Sequence, residues 1–173
     1  MKKITSQNLL IILLTTSICA LIGAYVSQYY FEMQPCQLCF WQRKPFFAII
    51  IISTSFLAMP FLKKYQNIAV KIAILCLLIN VGIAFYHSGV ERKIFKGLDS
   101  CSSISKSPNN IDDLYTMLIK TKAVPCDQSQ FTFLHLSMAE WNFLYCLILM
   151  IGISIIMQRK TPTRNSQPTN YNS

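Results

Sequence analysis

Cys36-Gln37-Leu38-Cys39-Phe40-Trp41-Gln42-Arg43-Lys44-Pro45 leads straight into the uncharged run Phe46 to Leu62. A dithiol pair with an arginine four residues on thus stands at the mouth of a segment that belongs in hydrocarbon. As a helix, Pro45 to Leu62 is long enough to cross an apolar core of roughly 30 Å. Ile4 to Phe31, Ile72 to Val90 and Trp141 to Gln158 are likewise free of charge. Backbone polar groups in lipid must be satisfied within their own segment, so each run reads as a helix.

The expected architecture is an all-α membrane protein, a four-helix transmembrane bundle with spans at about 9–30, 45–62, 70–89 and 140–158 and outer loops at 31–44 and 90–139. Composition agrees: 53% of residues are hydrophobic and only 13% charged, a membrane balance and not a soluble one. Residues 1–160 make one integral membrane domain. The polar segment 161–173, with Pro162 and Pro168, reads as a disordered cytoplasmic tail.

Charge sets the orientation. All seven acids, Glu32, Glu91, Asp99, Asp112, Asp113, Asp127 and Glu140, follow the first and third spans. The other side holds Lys2, Lys3, Lys63, Lys64, Lys71, Arg159, Lys160 and Arg164 without an acid, which places it in the cytoplasm. The outer side balances at +1 and the cytoplasmic side at +8, which accounts for the net +9. The basic character is therefore a topology signal, and nucleic acid is not an expected partner. Leu9 to Val26 is longer than a signal-peptide core, no Ala-x-Ala site follows it, and Thr16-Ser17-Ile18-Cys19 is not a lipobox, so the first span is expected to be retained.

Seven cysteines fall into two groups. Cys19, Cys76 and Cys146 lie inside spans, where a thiol packs as a small hydrophobe. Cys36, Cys39, Cys101 and Cys126 lie two in each outer loop, and an even number in an oxidising compartment implies disulfides. A Cys-x-x-Cys closes very little chain, so it is a poor staple and a better redox centre. Pro35 suits the first turn of a helix on which Cys36, Cys39 and Arg43 share a face, with the helix N-terminus and the guanidinium both favouring a thiolate. Pro45 should kink that helix or restart it. Cys101 and Cys126 have 24 residues between them, and a bond between them would stabilise by roughly 3 to 4 kcal/mol, so a structural role is credible there. Ile111, Leu114, Tyr115 and Leu118 predict a short amphipathic surface helix, and Ser137-Met138-Ala139-Glu140 predicts a capping box before Trp141.

Pro35 to Arg43, Tyr86-His87-Ser88-Gly89-Val90-Glu91, Pro125-Cys126-Asp127 and Leu136-Ser137-Met138-Ala139-Glu140-Trp141-Asn142 together resemble the DsbB family of bacterial membrane disulfide-forming proteins, over about residues 9 to 158. Gln42 stands where some members carry an acid. The resemblance implies a quinone-dependent thiol:disulfide oxidoreductase of the bacterial inner membrane, with both termini cytoplasmic and the cysteine loops periplasmic. It implies a relay. A reduced DsbA-like periplasmic protein of thioredoxin fold attacks the Cys101/Cys126 disulfide at Cys101, Cys126 passes electrons to Cys36, and Cys39 faces a bound quinone from the membrane pool, ubiquinone or menaquinone. Arg43 matches the family's quinone-site arginine. His87 is either a second quinone contact or an interfacial histidine without chemistry. Thiol exchange moves oxidising equivalents and cannot create them, so a terminal acceptor is needed. No haem-attachment or flavin fingerprint supplies one.

Two other readings compete. A zinc site built from the four outer cysteines would want a second Cys-x-x-Cys in place of the long Cys101–Cys126 spacing. A non-catalytic membrane scaffold with a disulfide-stapled outer loop is the stronger alternative, and reducibility by mild thiols separates it from the enzyme.

Overall fold

The apolar runs fold as four helices, α1 Ser6–Tyr29, α2 Gln37–Ala58, α3 Gln66–Glu91 and α4 Met138–Lys160. A 3-10 helix, Pro60–Tyr65, joins α2 to α3, and a two-stranded antiparallel hairpin, β1 Thr132–Phe133 and β2 Leu136–Ser137, leads into α4. The computed structural model describes residues 5–97, 125–127 and 131–160. Cys101, the expected surface helix around Ile111 to Leu118 and the tail from residue 161 lie outside the described residues.

Among the described residues, three segments are long and apolar enough to cross a membrane: Ser6–Tyr29, Pro60–Glu91 and Met138–Arg159. Their polar side chains are satisfied locally, as hydrocarbon demands. Thr15 and Thr16 donate to carbonyls of Ile11, Ile12 and Leu13, Ser27 donates to Gly23 and Ser55 to Ile51. The helices are apolar all round. Ile51, Leu75 and Ile148 point outward, while Leu9, Leu10, Leu13, Ile49 and Leu77 fill the interior. Ala69, Ala73 and Ala84 on α3 are fully buried, and their small side chains let neighbouring backbones approach. α3 is the central element and packs against α1, α2 and α4. α4 reaches α1 through Tyr145 Oη, which donates to Thr16 O at 2.9 Å.

The second helix differs from the sequence expectation in both boundaries. It begins at Gln37, so Pro35 precedes the helix instead of sitting in its first turn, and Cys36 becomes the N-cap. Residues 37–44 are therefore helical and not loop. Pro45 neither ends nor restarts it; the ring is buried and the helix runs through, losing one hydrogen bond to Trp41 O. The end comes at Ala58 and not at residue 62, because Met59 precedes Pro60 and is driven to extended geometry (φ −94°, ψ 113°).

The end of the bundle that carries Cys36 is tied together by polar contacts. Ser137 and Glu140 form the expected capping box, with Glu140 N donating to Ser137 Oγ at 3.2 Å and Ser137 N to Glu140 Oε2 at 2.9 Å. Glu140 Oε1 also accepts from Ser88 at 3.2 Å and from Arg92 Nε at 2.6 Å, which pins the end of α3 to the start of α4. After α3 the chain folds back on itself. Ile94 N and Phe95 N both donate to Gly89 O, and a Cβ at residue 89 would overlap the Phe95 ring, so the ring keeps this place only over glycine.

Candidate functional site

Cys36 caps α2 with its sulfur, accepting from Cys39 N at 3.4 Å. Its thiol donates in turn to Cys39 Sγ at 3.1 Å, a contact well beyond the roughly 2.05 Å of a disulfide. This one hydrogen bond polarises the pair. Cys36 keeps the shared proton, and donation to Cys39 together with burial pushes its pKa up to about 12. Cys39, accepting that proton and a backbone contact from Cys36, is held below its ordinary value against its own burial. The third residue of a helix also sees the positive end of the macrodipole. Cys39 is thus the sulfur that becomes thiolate first.

Behind the dithiol stands His87, 2% exposed, from the last turns of α3. Its Nε2 lies 3.4 Å from Cys36 Sγ and 3.6 Å from Glu91 Oε1, and its Nδ1 is 3.2 Å from Gln42 Nε2. The ring's roles follow its tautomer: with the Gln42 amide nitrogen donating to Nδ1 the ring proton is on Nε2, facing the sulfur and the carboxylate, and with the amide turned it is on Nδ1 and Nε2 is free. Cys126 is buried in one apolar cluster with Cys36, Leu38 and Val90 that Cys39 and Tyr86 adjoin.

Arg43 follows Cys39 by four residues and so lies on the same face of α2, one turn deeper. Its guanidinium donates to Gln28 Oε1 at 2.7 Å and to Ala24 O at 3.4 Å, and it stacks on Tyr25 and Phe40 with centroid distances of 5.1 and 5.3 Å. These contacts fix the planar fork against α1. Cys36, Cys39, Gln42, Arg43 and His87 all open on one cavity of about 570 Å³. Its remaining wall is mainly apolar: Leu21, Gly23 and Ala24 of α1, Phe46 of α2, and Ala139, Trp141 and Tyr145 of α4, with Gln28 and Asn142 as polar points. A mostly apolar hollow with a few convergent polar groups is the usual form of a small-ligand site.

A family model described as "Disulfide bond formation protein DsbB" matches residues 6–156. The chain belongs to the DsbB family. It is also similar to "Uncharacterized protein RP370" of Rickettsia prowazekii (strain Madrid E), 34% identical over 158 residues that span 90% of each chain. Membership brings a disulfide oxidoreductase role in disulfide bond formation. With three helices long and apolar enough to cross a bilayer, this DsbB-family chain is an integral membrane protein.

Of the six residues singled out in the sequence, five are described, and all five lie at this end of the bundle: Cys36, Cys39 and Arg43 on α2, His87 on α3, and Cys126 packed on Cys36. Cys101 lies outside the described residues. His87 is not at an exposed interface but in contact with the dithiol. Two partners escaped notice. Glu91 is one helical turn after His87, and Gln42 is buried at 7% exposure although its neighbours Trp41 and Lys44 are exposed. The spacing His87-x-x-x-Glu91 was the available signal for the first. For Gln42 the signal was that it stands where some members of the family carry an acid.

Proposed function

We propose that this DsbB-family protein crosses the inner membrane four times, with both termini cytoplasmic, and passes electrons from a DsbA-like thioredoxin-fold protein to a membrane quinone. Electrons enter at the Cys101/Cys126 disulfide, with Cys101 taking the partner's thiol, and move by thiol–disulfide exchange from Cys126 to Cys36, leaving Cys39 as the thiolate at the cavity. The single observation that carries this reading is the polarised Cys36–Cys39 pair opening on a hollow of about 570 Å³ that also holds the Arg43 fork. α2 is not one of the three segments apolar enough to cross by composition, but its 22 residues, Gln37–Ala58, have the length for a fourth crossing.

The cavity fits a quinone head group on its donor set. Arg43 and Cys39 line the same cavity, Gln28 and Asn142 add polar points, and Phe46, Trp141 and Tyr145 supply flat apolar surface. When bound there, a quinone supplies a two-electron, two-proton acceptor. Arg43 would hold its oxygen and lower the cost of negative charge beside Cys39. Cys126 attacks the Cys36–Cys39 disulfide at Cys36 and releases Cys39 as thiolate; in the fully reduced dithiol Cys36 holds the shared proton, which keeps Cys39 the more nucleophilic sulfur. With the Gln42 amide turned so that Oε1 accepts from Nδ1–H, His87 Nε2 is free to take the Cys36 proton, with Glu91 beside it.

The test is quinone reduction by the purified full-length protein supplied with a reduced thioredoxin-fold donor, followed by loss of quinone absorbance. Turnover that vanishes in Cys39→Ser supports the relay. A wild-type protein that oxidises the donor without consuming quinone overturns the acceptor assignment.

A further inference from the structure

Cys36 Sγ, Cys39 Sγ and His87 Nε2 all lie within 4.8 Å of one another. From this we infer that the reduced dithiol is a redox-gated binding site for a thiophilic divalent metal of the Zn²⁺ type. Two thiolates and an imidazole are a ligand set that such ions favour, and the preferred geometry is tetrahedral.

The distances come close to that geometry. With metal–sulfur bonds of about 2.3 Å and metal–nitrogen bonds of about 2.05 Å, a tetrahedral site places sulfur and nitrogen about 3.5 Å apart and two sulfurs about 3.8 Å apart. The Cys36–His87 separation is 3.4 Å already. The two sulfurs, at 3.1 Å, need to part by a fraction of an ångström, which a small side-chain rotation at the N-cap supplies. The fourth position is left to solvent or to Glu91, which stands beside the histidine and outside the three-atom cluster. Glu91 Oε1 is 3.6 Å from His87 Nε2, near the spacing two ligands of one ion adopt, and its Oε2 is buried with no hydrogen-bond partner among the described residues.

Gln42 completes the arrangement from behind. Turning its amide so that Oε1 accepts from Nδ1–H moves the ring proton off Nε2 and frees that lone pair for the metal, the usual role of an outer partner of a ligating histidine. Uptake moves no electrons: each thiol that coordinates gives its proton to solvent and the metal keeps its charge. Oxidation of Cys36 and Cys39 to a disulfide removes both sulfur ligands, so the oxidised protein loses the site. Metal bound to the reduced form occupies the electrons of the same sulfurs and arrests the protein reversibly at that stage. This goes beyond the proposed relay, since it requires only the dithiol and not the quinone.

The test uses the full-length protein in detergent, reduced, freed of reductant and titrated anaerobically with Co²⁺ alone. One equivalent should bind with sulfur-to-cobalt charge-transfer and tetrahedral ligand-field absorption, and Zn²⁺ should bleach both. Protein oxidised beforehand should give neither, a control that needs no variant. The Cys101→Ser, Cys126→Ser double variant should keep the spectrum. Gln42→Leu should bind about 10–100-fold more weakly, and His87→Ala more weakly still. A spectrum unchanged in His87→Ala, one that survives oxidation, or one lost in the double variant would each overturn the site. Because the readout is absorption and not turnover, absent quinone reduction with intact cobalt binding would count against the relay alone.

Discussion

Two buried cysteines of this protein sit among polar side chains, and only one is placed to react. At the middle of the bundle Cys146, fully buried on α4, closes a ring of three: Asn80 donates to its sulfur at 3.4 Å, its thiol faces Asn142 Oδ1 at 3.6 Å, and Asn142 faces Asn80 Oδ1 at 3.5 Å. At the end of the bundle Cys36 is almost as buried, but it has a second sulfur at 3.1 Å, an imidazole at 3.4 Å and a cavity alongside. Burial beside polar groups therefore does not make a redox centre. A second thiol, a proton acceptor and access do.

The largest effect should come from exchanging the two sites. Cys39→Ser is expected to reduce quinone turnover by at least ~10³-fold, whereas Cys146→Ser, which keeps a donor and an acceptor in the ring, should leave it within about threefold. Steady-state assays with a thioredoxin-fold donor decide this; a dead Cys146→Ser that is folded would erase the contrast.

Next in size is Arg43. Arg43→Ala should raise the KM for quinone about 10–100-fold, the scale of a lost charge-assisted hydrogen bond. Arg43→Lys should fall between, since an ammonium lacks the planar fork. Thiol exchange between the donor and Cys101 should be nearly intact in both. Measured separately, equal damage to the two half-reactions would reduce Arg43 to a structural contact with α1.

The third prediction concerns protons. Cys39 is held below its ordinary pKa chiefly by the Cys36 thiol, so in the reduced protein its thiolate should persist as pH falls through the range where an ordinary cysteine protonates. Cys36, near 12, should alkylate only at high pH. Cys36→Ala removes the donor, and the pH midpoint for Cys39 alkylation should then move upward. A midpoint that stays put or drops would show that the helix N-terminus, and not the neighbouring thiol, sets the polarity.

The smallest effect belongs to the mid-bundle ring. Asn80→Ala should cost about 0.6–1.7 kcal/mol, the range for a hydrogen bond between membrane helices, seen as a lower unfolding midpoint in detergent with turnover unchanged. Loss of turnover at full stability would mean that the ring communicates with the cysteine end.

Much of this was legible in the chain because one-dimensional signals carry it. The four apolar runs lie in four helices; α1 and α4 begin and end within three residues of their uncharged runs, whereas α3 starts six residues before Ile72, at Gln66, and takes in Lys71. The capping box at Ser137 and Glu140 was readable because both halves lie three residues apart. The second helix was misjudged at both ends. Its N-terminus is set by Cys36 acting as a cap, a task usually left to Ser, Thr, Asp or Asn, and its interior proline is tolerated because it is packed in the bundle.

By itself, then, the sequence determined that the chain is a helical membrane protein with a dithiol at the start of its second helix, since spans follow from hydropathy and the Cys-x-x-Cys spacing follows from counting. Tertiary structure alone decided that His87, 51 residues from Cys36, points Nε2 at its sulfur, that Gln42 holds the other side of that ring, and that Arg43 spends its fork on Gln28 and Ala24. The reason is physical. Hydropathy acts on each segment separately, whereas the pairing of polar atoms at a helix crossing depends on how α1, α2 and α3 are rotated about their axes, and helices that are apolar all round carry no stripe from which that rotation can be read.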